Sequence, residues 1–157
     1  MTRAVNVPGF NFKLERVRAV RERTEQLAKQ DLAEAISKRS GTEADLRAAE
    51  AQLEQAHVEH RAKIEAHPDT LDASELVARQ AYVERVEAQR TIRAQELGQR
   101  EAEVVERDAK LAKAAGEHEM LKRLRERQRD EHNREAGRRE QGALDEIAAT
   151  SFERSRT

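Results

Sequence analysis

The stretch His67-Pro68-Asp69-Thr70-Leu71-Asp72-Ala73-Ser74-Glu75 decides how this chain folds. Proline has no amide hydrogen to donate and its ring clashes with a helix interior, and it also turns the preceding His67 away from helical geometry. Asp72 followed three residues later by Glu75 has the pattern of a helix start. A helix therefore ends before Pro68 and another begins after Asp72. So short a turn lays two long helices side by side and antiparallel.

Outward from the turn, both flanks carry helical periodicity. Upstream, Leu46, Ala49, Leu53, Ala56, His60 and Ile64 recur in steps of three and four, preceded by Phe10, Leu14, Val17, Leu27, Leu32 and Ile36. Gly41 interrupts the pattern as a weak point, costing about 1 kcal/mol relative to Ala, without ending it. Downstream, Leu76, Val83, Leu97, Val104 and Leu111 form a seven-residue ladder joined by Val86, Ala94, Ala115 and Leu121, with Arg90 and His118 as interruptions. Such a repeat favours a left-handed coiled coil. The expectation is an all-α, antiparallel two-helix coiled coil: a flexible leader over 1–9, helix one over about 11–66, a turn over about 67–72, helix two over about 73–149, and a flexible tail over 150–157. Residues 10–149 would form one domain.

Composition agrees. Of 157 residues, 39% are charged and 3% aromatic, too few large apolar side chains for a thick core. Mean hydropathy is −0.97, yet net charge is only −1 and the abundant residues are helix formers, which argues against disorder. The absence of cysteine removes thiol and disulfide chemistry. No apolar run approaches the roughly 20 residues that span a bilayer, and none follows Met1, so a soluble chain without membrane insertion or secretory signal is expected.

Chemistry is sparse. No phosphate loop or nucleophile elbow occurs, and carboxylates on a two-helix rod face water, so no catalysis and no cofactor are expected. His57 and His60, with His67 nearby, lack further ligands at matching spacing, so no metal site is expected. Lys122–Arg139 holds eight basic and four acidic residues without interleaved aromatics, which suits an acidic protein surface better than nucleic acid. Pairing outward from the turn sets Phe10 near Arg129. Helix two would then overhang from about residue 130, displaying Leu144 and Ile147, with Phe152 beyond, to a partner protein.

Three stretches, in this order, resemble the FliJ family of flagellar type III export proteins. They are Phe10-Asn11-Phe12-Lys13-Leu14-Glu15-Arg16-Val17 with Arg21; Leu71 to Leu76 followed by Tyr82-Val83-Glu84-Arg85-Val86; and Arg138-Arg139-Glu140-Gln141 with Leu144-Asp145-Glu146-Ile147-Ala148. The resemblance implies a cytoplasmic, non-catalytic stalk, held through partners at the inner face of the membrane and monomeric when free. Its implied partners are the hexameric export ATPase and its regulator, the export-gate membrane protein and substrate chaperones. Arg138, Glu140, Gln141, Leu144, Asp145, Glu146 and Ile147 are the expected ATPase-ring contact, which coincides with the overhang. Tyr82, Val86 and Arg93 are the expected export-gate contact. The equivalent injectisome stalk and a plain tethering coiled coil are the alternatives.

Overall fold

The computed structural model describes residues 9–66 and 72–155, with side chains through Phe152. Two long helices, α1 (Glu15–Ala66) and α2 (Ala73–Ser155), pack against each other, with no strand among the described residues. The expected leader, apart from Gly9, and the expected turn, apart from Asp72, lie outside the described residues. Contacts group the chain into two units, Met1–Glu25 with Lys113–Thr157, and Gln26–Ala112.

In the unit Gln26–Ala112, cross-helix ion pairs give the direction and register. Asp31 meets Arg107 (3.3 Å), Arg39 meets Glu101 (3.9 Å), Glu50 meets Arg90 (3.1 Å) and Lys63 meets Glu75 (3.8 Å). Rising numbers on α1 meet falling numbers on α2, so the helices are antiparallel. The less exposed residues of α1 in this unit include Leu32, Ala35, Arg39, Thr42, Leu46, Ala49, Leu53, Ala56 and His60, in alternating steps of three and four. Every second one is Ala or Thr, which lets the backbones approach; Ala35, Ala49 and Ala56 are buried, and Val83 and Val86 of α2 stand level with Ala56 and Leu53. Arg39, Arg79, Arg90 and Arg107 lie half-buried along the same seam. Their aliphatic stems cover it while their charged heads reach water. Pairs this exposed contribute at most about 1 kcal/mol each, so they set register more than strength.

The expected stripe holds from Leu46 to His60 and shifts outside it. Leu27, Ile36 and Ile64 are exposed, because a strict seven-residue phase assigns the seam to alanines at 28, 35 and 49 that a search for large apolar residues passes over.

In the other unit, α1 begins at Glu15, four residues later than expected. Burial of Phe12, only 5% exposed, holds residues 10–12 out of the helix, and the Glu15 N–H donates to the Phe12 carbonyl (3.1 Å). At the far end α2 runs through Ser155, six residues past the expected stop. The Thr150 hydroxyl donates to the carbonyls of Glu146 and Ile147 (3.0 Å each) and Ser151 to that of Ala148 (2.8 Å).

Asp72 caps α2. Its carboxylate accepts from the Ser74 N–H (3.1 Å) and hydroxyl (2.6 Å), while its carbonyl accepts from Glu75 and Leu76. The reciprocal half of a capping box is replaced: the Glu75 carboxylate takes Arg79 at 2.9 Å, a charge-assisted bond stronger than a return to the backbone. The Ser74 hydroxyl and then its amide hold the Asp72 carboxyl below its ordinary 3.8. A depressed carboxyl stabilises the fold above that ordinary value and loses its effect as pH falls through the lowered one. Asp72→Ala should therefore lower the melting temperature at pH 7. The difference should vanish in strong acid, as read by circular dichroism melts at pH 7 and pH 2.

Candidate protein-interaction site

Phe10 and His132 stack tilted with ring centroids 5.9 Å apart, marking how far the first strand of chain reaches along α2. The expected meeting point was Arg129. Extended backbone advances about 3.3 Å per residue against 1.5 Å in a helix, so the non-helical residues 10–12 carry Phe10 three positions further.

Beyond His132, Arg139 pairs with Glu135 (3.5 Å) and Gln141 with Asp145 (3.0 Å), both within α2, as are the hydroxyl bonds of Thr150 and Ser151. Leu144 is 51% exposed and Ile147 62%. All seven expected contact residues are exposed, but α2 does not gather them on one face. At 100° per residue, Glu140, Leu144 and Ile147 share one face. Arg138, Gln141 and Asp145 share the adjoining one, where the Gln141 amide donates to the Asp145 carboxylate. Glu146 stands apart from both. The helix continues unbroken through Gly137 and Gly142, where an added Cβ would meet nothing within 4 Å.

The basic run just before this end is partly engaged. Lys122 and Arg123 pair with Glu119, Arg125 with Glu15 and Arg139 with Glu135.

The three expected gate residues divide. Tyr82 is 44% exposed, with the Arg85 guanidinium 5.9 Å from its ring centroid, a cation–π distance. Arg93 is also exposed, bonded to Glu96 at 2.8 Å, which raises its pKa further. Val86 is 4% exposed. Its spacing of three from Val83 places it in the seam, so as a surface contact it is corrected to a core residue. Tyr82 and Arg93 lie three turns apart on one flank of α2. There Gln89, Ile92 and Arg93 face Asp45 and Gln52 of α1 across a shallow open groove.

One feature escaped the sequence reading except as a fault in the ladder. His118 is buried, and its Nδ1 lies 2.6 Å from Glu25 Oε2. Its Nε2 is buried with no hydrogen-bond partner. Beside it Arg21 meets Glu117 at 2.6 Å. Glu25 stands seven residues before Leu32 on α1, and that heptad phase was the available signal for a buried carboxylate.

Among the described residues no three of His, Cys, Asp or Glu converge as a metal site, and no helix is long and apolar enough to cross a membrane. No curated protein and no solved structure matches the chain. The family model described as flagellar FliJ protein matches residues 10–157. That match runs over nearly the whole of a chain built as two long packed helices, and the chain belongs to the FliJ family of flagellar export proteins.

Proposed function

We propose that this protein is the non-catalytic stalk of the flagellar export ATPase, working at the cytoplasmic face of the inner membrane through its partners. The C-terminal end of α2 enters the hexameric ring and promotes its assembly and activity. The observation that carries this reading is the exposure of Leu144 and Ile147 on a helix that continues past His132. Apolar side chains on an exposed helix face gain most by meeting a partner. Leu144 and Ile147, with Glu140, supply the apolar face; Arg138, Gln141 and Asp145 supply the polar flank, and Glu146 meets the ring wall from the other side. Tyr82 and Arg93 form the export-gate contact, with Val86 holding that surface from beneath. The ATPase regulator and the substrate chaperones complete the set of partners.

The test is ATP hydrolysis by the organism's flagellar export ATPase, with and without this protein, alongside ring formation by size. Stimulation together with ring assembly is the expected result. No stimulation and no binding would overturn the stalk reading. In the same samples the free protein should run as a monomer, whereas a tethering coiled coil would run as a dimer.

A further inference from the structure

Five glycines lie within the two helices, and at none would an added Cβ meet any atom within 4 Å. None has a positive φ. Packing and backbone geometry therefore do not require glycine, while each loosens its helix relative to alanine. Two of them, Gly41 and Gly98, belong to the unit Gln26–Ala112.

The register of that unit brings these two to one level. Arg39 meets Glu101 and Glu50 meets Arg90, and counting along antiparallel helices from either pair puts Gly41 level with residue 99. Counting from Asp31 and Arg107 gives residue 97. Gly98 lies between the two. The one glycine that each helix carries within this unit thus occupies the same slice.

The same slice contains no buried residue, and Leu97 on α2 is only partly covered. On α1 no residue between Ala35 and Ala49 is buried; on α2 none is buried from 87 to the end of the unit. The α1 seam positions at this level are Arg39 and Thr42, both polar and both partly exposed. The Thr42 hydroxyl donates to the Lys38 carbonyl (3.0 Å), a back-bond that bends helices, and Ser40 and Gly41 precede it. Low propensity, a polar seam and a bending hydrogen bond coincide.

We infer that this slice is a built-in hinge at which α1 and α2 open together, between the Ala49, Ala56, Val83 and Val86 core on one side and the Leu32, Ala35 and Leu111 seam on the other. Opening is joint because a helix turn freed on one side loses the only seam that steadies the turn opposite, and lone short helical turns are not stable in water. Local opening of this kind lets a coiled-coil subunit bend under load without unfolding the seam around it.

Hydrogen exchange on the full-length protein, resolved by peptide, tests this. Amides over 38–44 and 95–101 should exchange faster than those over 49–56 and 83–90. Gly41→Ala alone should slow exchange about fivefold in both windows, and Gly98→Ala should do the same. The double variant should slow both windows by about 25-fold. Gly116→Ala, equally free of steric conflict but set between the buried Ala114 and His118 of the other unit, should leave both windows unchanged. Protection confined to the substituted helix would overturn joint opening. Wild-type windows no faster than their flanks would overturn the hinge itself.

Discussion

Replacing Leu144 and Ile147 together by alanine should leave helix content and melting temperature almost unchanged while abolishing stimulation of the export ATPase. Both side chains are more than half exposed, so their removal creates no cavity. Alanine is at least as good a helix former as either, so α2 is not weakened locally. Exposed substitutions of this kind change stability by about 0.5 kcal/mol or less. Apolar anchors at the centre of an interface behave otherwise, commonly costing about 2 kcal/mol each, or roughly 30-fold in affinity. Two such losses would move binding beyond the working concentration range of an assembly assay. Circular dichroism and stimulated ATP hydrolysis on the same preparation separate the outcomes. Cooperative unfolding of the double variant would show that this end is part of the folded core. Stimulation at wild-type level would move the ring contact elsewhere on the chain.

The second large effect concerns Glu25 and His118, and it has two signs. Glu25→Ala leaves His118 buried with neither ring nitrogen bonded by a partner in the seam, which should destabilise the protein by about 1–3 kcal/mol. Converting both residues to leucine should instead stabilise it by about 1–4 kcal/mol. Desolvating a polar pair costs more than its mutual attraction returns, and two leucines in its place add apolar burial. Thermal melts of wild type, single and double variants read both signs. A double variant less stable than wild type would mean that this pair, with Arg21 and Glu117 alongside, contributes net stability. If the double variant is instead the more stable, the pair persists for specificity: it penalises a slipped register, since a shifted Glu25 would be buried without His118.

The broad fold was legible because it rests on local rules. Pro68 excludes a helix through the turn, Asp72 begins the next one, and the ladder from Leu76 to Leu111 demands a partner helix. Boundaries were less legible. Phe12 is buried outside α1 rather than within its first turn, and α2 runs on past Thr150 and Ser151 to Ser155. Neither outcome follows from propensity. Leu27, Ile36 and Ile64 read as seam residues because large apolar side chains dominate a hydrophobicity pattern. The seam itself is carried on α1 by Ala35, Ala49 and Ala56, whose small size permits close approach yet leaves little trace in such a pattern.

At the C-terminal end of α2, periodicity and pairing from the turn pointed to exposed apolar side chains, and Leu144 and Ile147 are exposed. The division of its seven residues between two faces, with Glu146 apart, follows from the helical rotation that persists through Gly137 and Gly142. Val86 joined the ladder by its spacing and the gate contact by resemblance, and its burial agrees with the ladder.

By itself, then, the sequence determined two helices, their antiparallel pairing, a thin core, and a resemblance to the FliJ family carried by short motifs. Those properties depend on backbone chemistry and on spacing within one helix. Tertiary structure alone decided which side chains are buried, that Glu25 meets His118, and that Gly41 comes level with Gly98. Each of these depends on the register between helices, which many weak contacts set jointly and no single residue encodes.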